Sequence, residues 1–243
     1  MQEIVYHTNY KLENSYWWFV ARNRIVYELI NKKCDLAEGV DFLDAGCGTG
    51  GFSKILAERY NVVGLDSSEL ALQYCRKRGL ENIYQCNLQE FPHEDWNVKA
   101  ITMLDVLEHI EDDVSVVKEA YDILPDGGYF VTSVPAYKWL WSRHDLQHMH
   151  YRRYTKSQMK NLLAGAGFKI IYSSYFNTLL FLPAALKRLT QKQAFSKDSE
   201  LDPVDRVPKF LDALFRNIFM AEKAILPSFS FPFGLSIIVI GKK

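Results

Sequence analysis

Residues 40–51, VDFLDAGCGTGG, constrain the fold of this 243-residue chain more than any other segment. Val40, Phe42 and Leu43 form an apolar run that is too short for a helix and stops at glycines, which predicts a buried parallel strand. Four glycines follow, and residues 52–60 continue in a helical pattern. Glycines allow a tight turn and close approach of the backbone to a ligand, and the next helix directs free N–H groups at that ligand. The segment predicts a nucleotide-type cofactor site.

Two classes of cofactor could use this turn. Gly46, Gly48 and Gly51 satisfy the G-x-G-x-x-G pattern of dinucleotide sites. Asp44 comes just before the first glycine, where its carboxylate would repel a pyrophosphate, and it favours a cofactor with a cationic end and no phosphates. An NAD-linked oxidoreductase is the alternative, and it is further disfavoured because the chain shows no recognisable Ser/Tyr/Lys proton relay.

The string DAGCGTG at residues 44–50 resembles the first motif of class I methyltransferases that use S-adenosylmethionine (SAM), and related motifs follow along most of the chain. The resemblance implies a doubly wound α/β fold, a Rossmann-like sheet of seven mostly parallel strands with the last one antiparallel. It also implies methyl transfer from SAM, with S-adenosylhomocysteine as product. A non-catalytic binding module on the same fold is a second alternative.

The cofactor residues implied by this resemblance lie mostly in the first half of the chain. Asp66 ends a second predicted strand about twenty residues after Gly46, where an acid meets the ribose hydroxyls, although it could instead cap the helix at 67–78. Asn87 stands where the family usually has an aspartate that accepts from the adenine amino group, and its amide oxygen can take that role. The predicted set is Trp18, Arg22, Asp44, Gly46, Cys47, Gly48, Asp66, Ser67, Asn87, Leu88, Leu104 and Asp105.

Residues 15–33 predict a helix with an apolar face, capped by Asn14 or Ser15. Its start, YWWFVARNR, resembles the W-W-F-x-x-R start of a methyltransferase subgroup, many of whose members accompany polysaccharide or lipid-glycan genes. Trp18 and Arg22 would close over the cofactor. The alternative is that these aromatic rings only pack the helix onto the sheet.

A hydroxyl acceptor would need a general base, whereas an amine or carboxylate acceptor would not. The string DVLEHI at 105–110 resembles the motif that follows strand four in the same superfamily, where the histidine faces the substrate, and it nominates His109. His144 is a second candidate, with Asp145 orienting it. His109 could instead be a helix-start residue bonded to nearby backbone.

Residues 135–155, PAYKWLWSRHDLQHMHYRRYT, combine histidines, arginines and aromatic rings. This segment is the acceptor loop below. Basic and aromatic groups at the carboxyl edge of a parallel sheet suit an anionic or sugar substrate. The spacing of His144, His148 and His150 could hold a metal, but the arginines nearby disfavour a divalent cation, so no metal is predicted. The predicted substrate residues are Arg143, His148, His150, Arg152, Arg153 and Tyr154.

We expect residues 1–243 to form a single methyltransferase domain with a helical cap at 1–36 and a helical insertion at 177–233, between the last two strands. An apolar stripe runs along the insertion, and such a stripe either packs on its own domain or covers a lipid-like substrate, a membrane surface or a subunit partner. Together with the cationic acceptor loop, it predicts an amphiphilic or glycan-linked acceptor. The stripe consists of Val207, Phe210, Leu211, Leu214, Phe215, Ile218, Phe219 and Ile225.

The amino-acid composition argues against several other classes of function. Lysine and arginine together equal aspartate and glutamate at 29 each, so the chain lacks the basic footprint of nucleic-acid binding. The four cysteines show no C-x-x-C spacing, which argues against a zinc site built on them and against a disulfide framework. With no signal-peptide pattern and no long apolar stretch, we expect a cytoplasmic protein that touches a membrane only peripherally and weakly. Its partner would be a small-molecule, glycan or lipid-linked substrate, and the oligomeric state is not indicated.

Overall fold

The computed structural model describes residues 3–191 and 207–243 of the chain. Seven strands form one sheet in the order β3-β2-β1-β4-β5-β7-β6. β7 runs antiparallel to both of its neighbours and the other pairs are parallel. This confirms the predicted fold. The strands are β1 (Asp41–Ala45), β2 (Asn61–Leu65), β3 (Ile83–Tyr84), β4 (Val98–Leu104), β5 (Tyr129–Pro135), β6 (Lys169–Phe176) and β7 (Ser236–Lys242).

Helices cover both faces of the sheet. Because side chains alternate along a strand, Phe42 and Leu43 of β1 enter opposite hydrophobic layers. One layer includes α5 and α7, and the other includes α2, α3 and α9. The helices described in residues 3–191 and 207–243 are α1 (Glu3–Leu12), α2 (Trp17–Lys33), α3 (Gly51–Leu56), α4 (Glu69–Lys77), α5 (Asp113–Ile123), α6 (Arg143–Gln147), α7 (Lys156–Ala166), α8 (Phe181–Gln191) and α9 (Lys209–Ile225).

The amino-terminal region holds two helices where the sequence predicted one. α2 begins at Trp17 after Tyr16, which makes no side-chain cap bond, so the predicted cap at Asn14 or Ser15 is wrong. α1 packs on α4 instead, with the rings of Tyr10 and Tyr74 stacked at 4.1 Å. This extra helix, α1, lies beside α4, at the same edge of the sheet as the glycine turn.

The apolar stripe of the insertion is divided between core and surface. Phe219 is fully buried, and its ring lies 6.0 Å from that of Phe176 in β6. Phe215 packs against Trp17 of α2 at 5.7 Å. Phe210, by contrast, is 71% exposed. Packing of one side of α9 on α2 explains why some residues of the stripe are apolar, but it does not explain the exposed ones.

A buried carboxylate anchors the start of the insertion. Glu222 of α9 accepts backbone N–H bonds from Asn177, Thr178 and Leu179 at 2.6–2.8 Å. Burial raises the pKa of Glu222, and the three N–H bonds oppose that rise. Residues 192–206, part of the predicted insertion, lie outside the described residues. None of the helices in the described parts of the chain combines the length and apolarity needed to cross a bilayer.

Candidate active site

A cavity of about 1330 Å³ opens at the carboxyl ends of the parallel strands. The ends of β1, β2 and β4 form its floor, and α1, α2 and the insertion contribute to its walls. This edge is where open α/β sheets bind their ligands. All twelve predicted cofactor residues border the cavity, and they come from five separate segments: Trp18 and Arg22; Asp44 to Gly48; Asp66 and Ser67; Asn87 and Leu88; Leu104 and Asp105.

The glycine turn follows β1 and needs glycine for its backbone. Gly46, Gly48 and Gly50 have φ values of +78°, +56° and +80°, in the left-handed region that side chains disfavour. A Cβ atom on Gly48 would meet nothing within 4 Å, so the space beside this residue is open to a ligand. On Gly46 a Cβ would lie 2.5 Å from Val106, so the turn also packs tightly on the loop after β4.

Asp66 connects the glycine turn to the start of α4. Its Oδ2 accepts the Gly48 N–H at 3.0 Å and its Oδ1 accepts the Ser68 N–H at 2.9 Å. Burial raises the pKa of Asp66, and these two bonds oppose the rise. Ser68 is the residue that caps α4, accepting the Ala71 N–H at 3.4 Å. Ser68, and not Asp66, is therefore the main cap of α4. The Asp66 carboxylate borders the cavity.

Asp44 lies beneath the turn at the end of β1. It is 3% exposed and accepts hydrogen bonds from Ser53 at 2.5 Å and Thr102 at 2.8 Å. Burial raises its pKa, while the two hydroxyl bonds and the charge of Arg22 lower it. The carboxylate is thereby fixed in place at the inner wall of the cavity.

Trp18, Arg22 and Asp105 form a second cluster at the cavity. Arg22 Nε lies 3.5 Å from Asp105 Oδ2, and the guanidinium lies 5.1 Å from the centre of the Trp18 ring. Both Arg22 Nε and Asp105 Oδ2 are buried without a hydrogen-bond partner in the part of the chain that the structure describes. Asp105 also has a φ of +58°, which is rare outside glycine and often marks a functional site. Unpaired polar atoms at a cavity wall indicate a polar ligand.

His109 and Glu108 follow β4 in a short 3-10 turn, Leu107–His109, and both border the cavity. Burial and then the neighbouring His150 and His148 lower the pKa of His109 to about 4, so its imidazole is neutral near pH 7. Glu108 is 1% exposed, and its Oε2 has no hydrogen-bond partner among the described residues. Burial and then the charge of Asp105 raise the pKa of Glu108 well above its usual value. The sequence reasoning missed Glu108, although it stands in the same DVLEHI string as His109.

Comparison with known proteins identifies the fold. Residues 43–132 match the family described as "Methyltransferase domain". A probable S-adenosylmethionine-dependent methyltransferase from Mycolicibacterium smegmatis is 32% identical over 162 residues, which cover 65% of this chain and 61% of that protein. A SAM-dependent methyltransferase structure from Thermotoga maritima aligns at a TM-score of 0.58 and 22% identity, covering 98% of this chain and 99% of that one. Residues 43–132 of this chain therefore match a methyltransferase domain, and the chain shares the fold of SAM-dependent methyltransferases.

A relative with a more specific name matches a shorter segment. A ubiquinone biosynthesis O-methyltransferase from Bordetella avium is 29% identical over 116 residues, covering 45% of this chain and 48% of that protein. The chain thus spans 61% and 48% of the lengths of these two curated relatives.

The relative from Mycolicibacterium smegmatis is named as S-adenosylmethionine-dependent, and the cavity of this chain fits that cofactor. The methionine end of SAM carries an ammonium and a carboxylate, and the Asp105 and Arg22 atoms that lack hydrogen-bond partners have the matching charges. The open space beside Gly48 suits a close approach of the cofactor to the backbone. The acidic turn, with Asp44 and Asp66 buried next to it, would disfavour a pyrophosphate.

The acceptor loop buries Asp145, which the sequence placed among the catalytic residues. Asp145 is fully buried and accepts two bonds from Arg153, at 2.6 and 3.0 Å, and one from His150 Nδ1 at 2.9 Å. Burial opposes its ionisation, but the bonds from His150 and Arg153 hold its pKa well below the usual range. The Asp145 carboxylate is bound by His150 and Arg153 and is not among the residues that border the cavity, so its pairing with His144 stays a prediction. The side chain of His144 lies outside the described residues.

Two of the predicted substrate residues are structural. Tyr154 is buried, and its hydroxyl donates to Asp113 at 2.7 Å. Arg152 pairs with the same Asp113 at 3.0 Å and donates to the Glu111 carbonyl at 2.6 Å. Both side chains fasten the loop to the start of α5 and neither borders the cavity, so the structure gives no support to a role for them in substrate binding. The remaining four predicted residues border it: Arg143, His148, His150 and Arg153.

Proposed function

We propose that this chain transfers the methyl group of SAM to an acceptor that binds between the cofactor residues and the acceptor loop. The observation that carries the proposal is that the glycine turn, Asp66, the Arg22–Asp105 pair and two histidines of the acceptor loop, His148 and His150, all border one cavity. When bound, SAM supplies an electrophilic methyl group on a positively charged sulfonium. Because that charge is lost as a nucleophile approaches, the protein has to supply alignment and a site drier than water.

The cofactor roles follow from position in the cavity. Asp66 would accept from the ribose hydroxyls, since its carboxylate faces the cavity beside the glycine turn. Asn87 and Leu88 would hold the adenine by a hydrogen bond and by packing. Leu104 and Asp105 would line the methionine end. Trp18 and Arg22 would cover it, as the position of Arg22 beside Asp105 supports (3.5 Å).

A hydroxyl is the acceptor group we favour. One relative is named an O-methyltransferase. An imidazole with a pKa of about 4, as at His109, is unprotonated near neutral pH and can accept the hydroxyl proton. The acceptor is proposed to bind along the cavity wall formed by Arg143, His148 and His150.

The rest of the acceptor is proposed to be apolar, as in a lipid-linked sugar or an acyl chain. The insertion lines the cavity with Leu180, Pro183, Ala184 and Phe215, opposite the polar groups of the acceptor loop. Large apolar side chains of the same insertion also face solvent, and they would give the protein a weak affinity for membrane surfaces. The most exposed of them are Leu182, Leu186, Phe210 and Phe229, at 74, 65, 71 and 54%.

Isothermal titration with SAM, S-adenosylhomocysteine and NADH tests the cofactor. We expect both adenosyl sulfur compounds to bind and NADH not to bind. Binding of NADH alone would overturn the proposal in favour of an oxidoreductase. Transfer of radiolabel from methyl-labelled SAM to a lipid extract then tests catalysis, and tight SAM binding without transfer to any lipid, sugar or phenol would favour a binding module.

The general base is tested by His109→Ala and His144→Ala. Loss of a general base lowers turnover by about a hundredfold or more and leaves SAM affinity nearly unchanged. Loss of SAM binding in either variant would show a cofactor or structural role for that histidine. Full turnover in both variants would exclude both as bases and argue against an unactivated hydroxyl acceptor.

Membrane contact is tested by flotation with anionic vesicles. We expect a small floating fraction for the wild type and none for a variant with Leu182, Phe210 and Phe229 all changed to Ser. Val114→Ser is the matched control, because Val114 is 62% exposed on α5 and does not border the cavity. Equal flotation of all three proteins, or none for the wild type, would contradict membrane contact and direct the acceptor search to soluble sugars and acids.

A further inference from the structure

Three side chains with metal-binding atoms meet where the acceptor loop folds over the end of β4. Glu108 and His109 come from the turn after β4, and His150 comes from the acceptor loop. One ligand atom of each residue lies within 4.8 Å of the other two. Ligand atoms sit about 2.0–2.2 Å from a zinc ion, so the observed spread requires only small side-chain rotations to surround one ion. All three residues border the cavity.

The buried carboxylate of this cluster lacks a partner. Glu108 is 1% exposed, and its Oε2 makes no hydrogen bond to any described residue. A buried polar oxygen without a hydrogen-bond partner is costly, and such atoms usually meet a donor or a cation. The imidazoles of His109 and His150 stand beside it, with ring centres 4.5 Å apart. A shared cation would satisfy Glu108 and bring the two rings into one site.

His150 is held as metal-binding histidines usually are. Its Nδ1 lies 2.9 Å from Asp145 Oδ1, and because an ionised carboxylate only accepts, Nδ1 carries the proton. The lone pair is then on Nε2. A carboxylate behind a histidine fixes the orientation of the ring and raises its basicity as a ligand. Arg153 holds Asp145 in turn with two bonds at 2.6 and 3.0 Å.

The arginines that disfavoured a metal in the sequence are partly neutralised in the structure. Arg153 pairs with Asp145 at 2.6 Å, and Arg152 pairs with Asp113 at 3.0 Å. The sequence weighed a site of three loop histidines, but the cluster in the structure combines only one of them with Glu108 and His109.

We propose that Glu108, His109 and His150 bind one divalent transition-metal ion of the zinc type. Two imidazoles and one carboxylate favour such an ion over Mg²⁺, which prefers oxygen ligands. Three protein ligands leave a coordination position for a further molecule, as in catalytic zinc sites. Because the three residues border the cavity, that position would take an oxygen of the acceptor and lower its pKa; this last role rests on the proposed methyl transfer. With the ion bound, His109 would act on the acceptor as a metal ligand and not as the general base.

Metal binding is measured on tag-free, chelator-treated full-length protein. Titration with ZnCl₂ is expected to show one equivalent bound, and CoCl₂ is expected to give visible absorption without a thiolate charge-transfer band. Glu108→Gln and His109→Ala should each weaken Zn²⁺ binding by about a hundredfold or more. His93→Ala is the control and should bind as the wild type does, because His93 lies outside the cavity.

Several outcomes would overturn the site. These are less than about 0.2 equivalents (a fifth of a site) of Zn²⁺ in the wild type, a thiolate band with Co²⁺, preference for MgCl₂, or equal loss in His93→Ala. Unchanged binding in both Glu108→Gln and His109→Ala would also overturn it, provided circular dichroism shows folded protein. SAM titration of the same samples separates the two proposals: SAM binding without Zn²⁺ binding rejects the metal site alone, whereas loss of SAM binding in the wild type rejects the proposed function.

Discussion

The cofactor end and the acceptor end of the cavity are built in different ways. At the cofactor end every predicted residue borders the cavity, whereas at the acceptor end Arg152, Tyr154 and Asp145 do not. Most cofactor residues directly follow a parallel strand, and pairing of β1 with β2 and β4 brings those strand ends to one edge. The acceptor loop has no such constraint, so its polar side chains divide between the cavity and the interior. A polar residue at the end of a parallel strand is thus a better predictor of a binding-site residue than a polar residue in a loop that contains many polar side chains.

The largest expected effect tests whether the acceptor end depends on a buried ion pair. Asp145→Ala would leave the Arg153 guanidinium buried and unpaired, and breaking such a pair costs about 3–5 kcal/mol in the free energy of unfolding. Urea denaturation measures this loss. In the double variant Asp145→Ala/Arg153→Met both charges are gone, and much of the stability should return. A loss below about 1 kcal/mol in the single variant would show that Asp145 is not a structural group.

The next effect tests the anchor of the insertion behind the acceptor end. Glu222→Ala removes the acceptor of three backbone N–H bonds, from Asn177, Thr178 and Leu179, and we expect a loss of about 3 kcal/mol in unfolding free energy. Glu222→Gln keeps one carbonyl oxygen and should lose less. Thermal denaturation of the two variants in parallel measures the difference. Equal stability of Glu222→Ala and wild type would mean that solvent replaces these bonds.

A smaller effect tests the cofactor end. Asp66→Ala should weaken SAM binding by about 1.5–3 kcal/mol, because a charge-assisted bond to the ribose is lost. Titration calorimetry gives the dissociation constant. Asp66→Asn serves as the control, since its amide oxygen still accepts one bond, and it should bind SAM with intermediate affinity. An unchanged dissociation constant in folded Asp66→Ala would remove the ribose role from Asp66.

The smallest effect tests the divided stripe of α9. Phe210→Ser should change the unfolding free energy by less than about 0.5 kcal/mol, because the ring is 71% exposed. Phe219→Ala provides the contrast, since this ring is fully buried and its removal costs about 3–5 kcal/mol. Chemical denaturation of both variants makes the comparison. A large loss of unfolding free energy in Phe210→Ser would show that a partner covers the ring in solution. That partner could be a second copy of this chain.

Much of the fold could be predicted because its signals are local. An apolar run that ends in glycines predicts a strand and a turn, and the positive φ at Gly46 and Gly48 shows why glycine stands there. The helix at Thr155 begins as expected, with a capping box to Gln158. The sequence did not predict α1 as a separate helix because α1 packs on Tyr74, which is 64 residues beyond Tyr10 in the chain.

The sequence by itself determined the first strand and the glycine turn, since each depends on neighbours within a few positions along the chain. The seven-stranded sheet and the cofactor residues at the strand ends were expected from the resemblance to a known family. The tertiary structure alone decided that Asp145 pairs with Arg153, that Phe219 is core while Phe210 is not, and which acceptor-loop residues border the cavity. It also brought Glu108 and His109 together with His150, about forty residues further along. The physical reason is that burial and ion pairing depend on which surfaces meet when the acceptor loop folds back over β4, and no periodicity or spacing in the sequence encodes that contact.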